Sequence, residues 1–193
     1  MSGLELLALL ASVVAGSLAG SVPFAYLAGR AAGVNILAVG TRNPGAANVF
    51  RLVSRRLGAA VFLVDVLKGA AAVIAALAIG VPTEVAPVAG AAAVAGHWHP
   101  VFLRFKGGAG LATAVGAAVA VAPVPGGIGE AVGLMILPLL RSTGHAAATG
   151  LVALAIAGFA VRSEWASTSG AIGLAVMVFG RYLVIELVRR RRT

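Results

Sequence analysis

Cysteine is absent from this 193-residue chain, so neither disulfide staples nor a thiolate metal site can contribute, and the redox compartment stays undecided. Acidic residues are scarce. Asp65 is the single aspartate, and Glu5, Glu84, Glu130, Glu164 and Glu186 are scattered, so no paired-carboxylate site is visible. Histidine is almost as thin. His97 and His99 flank Trp98 without the i, i+4 spacing or the third ligand of a zinc site, and no metal is expected. Charged residues make up 11% of the chain, against about 25% in soluble domains, while 60% is hydrophobic. Too little polar material remains to coat a soluble globule.

What is present is a series of apolar runs at residues 3–29, 57–81, 85–103, 111–140, 144–161 and 167–188. Spans of about 20 residues match a hydrocarbon core of ~30 Å, so these runs predict an all-α integral membrane protein. The run at 111–140 is too long for one untilted helix. Pro123-Val124-Pro125-Gly126-Gly127 at its centre predicts a connector between two short helices. That split gives seven transmembrane helices. With the N-terminus outside and the C-terminus cytoplasmic, Arg30, Arg42, Arg51, Arg55, Arg56, Arg104, Lys106, Arg141 and Arg189 to Arg192 fall inside, leaving Arg162 outside. Six spans would put the C-terminal arginines outside. The first run has no leading cation and exceeds a secretory signal in length, so it is read as a membrane helix. With no long linker, residues 1–193 read as a single domain. Glycines four apart, at 16 and 20, 29 and 33, and 129 and 133, suit close helix packing in lipid.

The net charge of +9 gathers on one face, where anionic lipid or a phosphorylated substrate explains it better than nucleic acid does. Three polar patches interrupt the apolar pattern. In residues 104–110, Arg104 and Lys106 lie beside Gly107, Gly108 and Gly110, and glycines let backbone N–H groups converge on an anion. KGGAG lacks the G-K-[ST] ending of a nucleotide P-loop. A plain connector whose cations meet headgroups is the alternative. Around Pro44, which suits the start of a short amphipathic helix closing residues 33–57, Thr41, Arg42, Asn43 and Asn48 either satisfy their own turn or cradle a phosphate. The third patch, Arg141 to His145, is less specific, with Ser142 or Thr143 suited to cap the next helix. Asp65 and Lys68, three apart inside an apolar run, share a helical face, and an intramembrane ion pair is a functional-site candidate.

Taken in order, GSVP at 20–23, GTRNPGAANVFR at 40–51, DVLKG at 65–69, GHWHPVF at 96–102 and FKGGAGLATAVG at 105–116 resemble the bacterial membrane acyl-phosphate:glycerol-3-phosphate acyltransferase family. The resemblance implies seven membrane helices in the bacterial inner (plasma) membrane. It implies transfer of an acyl group from acyl phosphate to glycerol 3-phosphate, giving lysophosphatidic acid for phospholipid synthesis. Membrane lipids are the further partners, and no cofactor is expected. Thr41 stands where the family typically has serine. By this resemblance Thr41, Asn43 and Lys68 are the expected catalytic residues. Arg42, Asn48, Asp65, His97, Arg104, Lys106, Gly107, Gly108, Gly110 and Thr113 are the expected substrate-binding residues. Ala109 replaces the lysine of a loop resembling KGGKG, and the family's C-terminal motif is not recognisable in GRYLVIELVRRRRT. A non-enzymatic homologue that binds phosphate ligands is therefore an alternative. A small transporter or lipid-handling protein is a third, with little support.

Overall fold

The structure, a computed structural model of the chain, describes residues 1–140, 142–161 and 165–190, with side chains through Val184. Arg141, Arg162, Arg191 and Arg192, on which part of the charge argument rests, lie outside the described residues. Everything described is helix or connecting loop. The helices are α1 (Gly3–Ser21), α2 (Phe24–Ala31), α3 (Ala46–Leu52), α4 (Arg55–Ala78), α5 (Pro87–Trp98), α6 (Leu111–Val121), α7 (Pro123–Leu140), α8 (Thr143–Ala160) and α9 (Trp165–Arg190), with a 3-10 turn at Val101–Leu103.

Helix starts follow capping chemistry. The Ser2 hydroxyl accepts from the backbone N–H of Glu5, whose carboxylate accepts from the N–H of Ser2, closing a capping box. Ser54 and Ser142 cap α4 and α8 in the simpler way, the latter as expected. Pro87 occupies the first turn of α5, where its missing N–H is not needed. The first apolar run is not one helix. Pro23 removes an amide donor, and the chain breaks at Val22 and Pro23 before resuming as α2.

Two further boundaries differ from expectation. The prolines after α6 do not form a connector. Ala122, kept out of helical backbone by the following proline (φ −134°, ψ 81°), makes the whole break, and Pro123 to Gly127 form the opening turns of α7. The halves are therefore unequal, at 11 and 18 residues. Pro44 likewise precedes α3 without starting it, since Gly45 is the N-cap.

Five helical segments are long and apolar enough to cross a membrane: residues 3–31, 55–78, 123–140, 143–160 and 165–184. Their outward faces carry Leu4, Leu7, Leu63, Ile74, Met135, Leu139, Ile156 and Phe159 exposed, as lipid contact requires. The interior is made of small residues, chiefly Ala76, Ala89, Ala117, Ala118 and Ala171 with Val73 and Leu174, where α4, α5, α6 and α9 meet. Glycines set the closest approaches. A Cβ on Gly16 or Gly20 would run into the carbonyls of Ala89 or Ala93 on α5, and one on Gly129 into that of Gly150 on α8. Gly29 and Gly33 do not belong to this pattern. Gly29 faces the loop at Val34 and Ile36, and Gly33 takes a φ of 74° at the turn after α2.

Candidate functional site

The break between α1 and α2 turns the Gly20 and Val22 carbonyls, the second of which also accepts from the Phe24 N–H, toward Lys68 on α4. Its ammonium lies 3.1 Å from the Gly20 oxygen and 3.3 Å from the Val22 oxygen. The same nitrogen is 2.8 Å from Asp65 Oδ1 and 2.9 Å from His97 Nδ1. Asp65 is 2% exposed and Lys68 7%, so each charge compensates the desolvation of the other. An ammonium has three N–H donors, and four acceptors already surround this one. None is left over for a ligand.

Because the ammonium donates to Nδ1, that nitrogen carries the lone pair and the His97 proton resides on Nε2. Nδ1 also lies 3.5 Å from the Thr113 hydroxyl, which is fully buried on α6. His97 is thus oriented by α4 and α6 together. Nε2 sits against Gly108, where any Cβ would collide with it.

The glycine loop comes back to His97 by a sharp reversal. Arg104 and Phe105 both adopt left-handed backbone, with φ of 50° and 62°, a conformation costing about 1–3 kcal/mol in a non-glycine residue. The reversal lets the Gly108 N–H donate to the His97 carbonyl at 3.1 Å. Gly107 packs on the carbonyls of His97 and Trp98, a place no side chain could occupy. Trp98 secures the far side, donating from Nε1 to the Ala109 carbonyl at 2.8 Å. Gly110, with φ of 80°, then starts α6 without any side-chain cap.

Opposite this loop, residues 34–45 are held by Asn48. Its Nδ2 donates to the carbonyls of Ile36 and Val39, and its Oδ1 accepts from the Thr41 N–H. Asn48 is 2% exposed, so its amide organises the loop. The loop leaves Thr41 and Arg42 exposed and Asn43 half-buried, and Arg42 is the remaining non-glycine residue with positive φ among those described. Pro44, Gly107, Gly108, His97, Val22, Pro23 and Phe24 line a narrow cleft of about 10 Å³. That is room for about one water molecule.

Apart from Asn48, which organises the Pro44 loop, and the half-buried Asn43, the expected site residues divide into two groups. Asp65, Lys68, His97 and Thr113 form one buried cluster, joined to Gly107 and Gly108 through the carbonyls of His97 and Trp98 and to Gly110 through the Trp98 side chain. Thr41, Arg42, Arg104 and Lys106 present exposed side chains on the two loops around the cleft. Two participants were absent from the expected set. The GSVP segment supplies carbonyls to Lys68, and Arg181 on α9 lays its guanidinium over the Trp98 ring at 4.7 Å. A lone arginine in an apolar run was the available signal for the second.

The glycerol-3-phosphate acyltransferase family model matches residues 10–191. A glycerol-3-phosphate acyltransferase of Geobacter sulfurreducens is 36% identical over 90% of this chain and 88% of that protein. Glycerol-3-phosphate acyltransferase 5 of Dehalococcoides mccartyi is 46% identical over 58% of this chain and 48% of its own length. The chain thus spans about half the length of some curated relatives it matches. The crystal structure of PlsY, an integral membrane glycerol 3-phosphate acyltransferase, superposes with a TM-score of 0.79 at 32% identity, covering 95% of this chain and 93% of that one, in its glycerol 3-phosphate form. The lysophosphatidic acid form of the same protein gives 0.78 at 31%.

Proposed function

The chain belongs to the glycerol-3-phosphate acyltransferase family, and from that premise we propose that it transfers an acyl group from acyl phosphate to glycerol 3-phosphate, giving lysophosphatidic acid at the cytoplasmic face of a bacterial plasma membrane. The observation that carries the reading is the Gly107–Gly110 loop, folded back on His97 and opening the uncapped N-terminus of α6. Backbone N–H groups gathered there, with the helix dipole behind them, favour a phosphate.

The cleft is too tight to enclose glycerol 3-phosphate, so the substrate lies at its mouth between the Pro44 loop and the glycine loop. Arg42, Arg104 and Lys106 neutralise the two phosphoryl groups, which otherwise repel one another. In the reaction the glycerol hydroxyl oxygen bonds to the acyl carbon, and the acyl carbon to phosphate oxygen bond breaks. Inorganic phosphate departs with the electron pair and takes up the hydroxyl proton. No strong base is needed with so good a leaving group, and positioning dominates. Thr41 orients the attacking hydroxyl and Asn43 donates to the oxygen on which negative charge develops. Lys68 and Asp65 act through His97, whose Nε2–H faces the cleft. Since its Nδ1 lone pair is engaged by Lys68, His97 serves as a donor.

Seven crossings follow if α5 and α6, at about 18 and 16 Å long, complete the five long segments as short helices packed inside the bundle. The N-terminus is then outside and the C-terminus cytoplasmic, with the loops of the site on the cytoplasmic side.

Purified protein given palmitoyl phosphate and glycerol 3-phosphate forms lysophosphatidic acid on this reading. Absence of product across short and long acyl phosphates defeats it. Glycerol 3-phosphate binding without turnover would instead identify a non-enzymatic relative, the reading that Ala109 favours.

A further inference from the structure

Trp98 closes α5 immediately after His97, and its indole packs with Val94, Leu111, Met177 and Val178, so that it touches α5, α6 and α9 at once. Its Nε1–H donates to the Ala109 carbonyl at 2.8 Å. Among the described residues it is the only side chain hydrogen-bonded to residues 104–110. A Cβ on Gly110 would stand 2.6 Å from the same nitrogen, which places the Ala109–Gly110 peptide against the edge of the indole. Arg181 covers the ring from α9, with its guanidinium carbon 4.7 Å from the ring centre. Among the described residues no carboxylate pairs with Arg181, and its buried Nε has no hydrogen-bond partner. The indole face is what holds it, by the attraction of a cation for an aromatic ring.

The direction of that one peptide matters. The peptide bonds described are trans, and in a trans peptide the C=O and N–H groups point opposite ways. Drawing the Ala109 carbonyl onto Trp98 therefore turns the Gly110 N–H to the other face of the loop. Among the described residues the N–H groups of Gly110, Leu111 and Ala112 have no protein acceptor, the last two opening α6. Alanine at 109 leaves no side-chain cation between Lys106 and α6. A phosphate held at this end of the loop depends on main-chain donors and on where they point.

We propose that Trp98, braced by Arg181, is a positioning residue for the glycine loop, its indole N–H fixing the Ala109–Gly110 peptide so that the donors at the start of α6 converge on the phosphate of glycerol 3-phosphate. The proposal rests on the acyl-transfer reading above and goes further in making the shape of the loop depend on α9 as well as α5. Neither side chain touches the substrate. Arg181 acts through the ring it covers, and Trp98 acts through the carbonyl it holds.

Trp98→Phe keeps an aromatic face for Arg181 and removes the N–H donor. It should raise the glycerol 3-phosphate KM about three- to tenfold, the effect of one lost neutral hydrogen bond, while kcat stays within about twofold of wild type. The Kd for glycerol 3-phosphate, titrated calorimetrically without an acyl donor, should rise by the same factor. A merely structural role would lower the unfolding temperature and kcat and leave KM and Kd unchanged, and that result overturns the proposal. Arg181→Gln should raise KM in the same direction, with Arg181→Lys, which keeps a cation over the ring, closer to wild type. Added to Trp98→Phe, Arg181→Gln should change KM no further. Additive effects would mean that Arg181 meets the substrate itself, and overturn its bracing role. If wild-type protein binds glycerol 3-phosphate but forms no lysophosphatidic acid, the Kd shift in Trp98→Phe upholds the positioning role while the acyl-transfer reading falls. Failure of wild-type protein to bind glycerol 3-phosphate overturns both.

Discussion

Lys68 Nζ lies 2.9 Å from His97 Nδ1, in an interior where Asp65 is its only carboxylate neighbour among the described residues. The pair joins α4 to α5, and the lysine also holds the Gly20 and Val22 carbonyls of the α1–α2 break. Replacing Lys68 by Met strands a buried carboxylate and the Gly20 carbonyl, while the Val22 carbonyl keeps the Phe24 N–H. A loss of about 3–5 kcal/mol is expected, since breaking a buried pair costs far more than the pair contributes. Thermal unfolding in detergent should show Lys68→Met well below wild type and Asp65→Asn with Lys68→Met partly recovered. Equal melting of single and double variants would show that Asp65 does not depend on Lys68.

Glycines on α6 and α9 make opposite predictions. A Cβ on Gly116 would run into the Val66 carbonyl of α4, so Gly116→Ala should destabilise by about 1–3 kcal/mol, as overpacking does. Gly173→Ala enters open space within a helix and should gain about 0.5–1 kcal/mol. Paired unfolding measurements check both signs. If the two variants melt alike, helix propensity and not the α4–α6 approach sets their stability.

Much of this arrangement was legible in the residues. The spacing of Asp65 and Lys68 marks an ion pair, Ser142 marks a helix start, and Gly16 and Gly20 mark a close contact, because each signal is local. The α6–α7 boundary was harder. Two prolines and two glycines suit a connector as well as an opening turn, and only the non-helical backbone of Ala122 settles it. Asn48 was harder still. An amide near an arginine suits a phosphate, but its partners, Ile36 and Val39, are carbonyls of an irregular loop that no periodicity reveals. Arg181 acquires meaning only through Trp98, 83 positions earlier in the chain (181 − 98).

Sidedness has a direct measurement in a cysteine-free chain. Arg56 at the start of α4 and Glu84 in the loop that follows its far end are both exposed. With the N-terminus outside, a cysteine replacing Glu84 should react with an impermeant reagent on intact cells, and one replacing Arg56 should be protected until the membrane is opened. The reverse pattern would invert the topology and move the glycine loop to the outer face.

Ala109 gives the sharpest test of the glycine loop. Its carbonyl is fixed by Trp98, while its side chain is only half-buried, so a lysine there extends from a loop already held in place. Ala109→Lys should tighten glycerol 3-phosphate binding through a charge-assisted contact of about 1.5–3 kcal/mol, or roughly ten- to hundredfold in affinity. Lys106→Ala should weaken it by removing a cation from the same loop. Calorimetric titration of both variants, with circular dichroism to confirm that they are folded, measures the effect. Unchanged affinity in both would mean that the loop is a connector whose cations meet lipid headgroups, and the backbone donors before α6 would then bind no substrate phosphate.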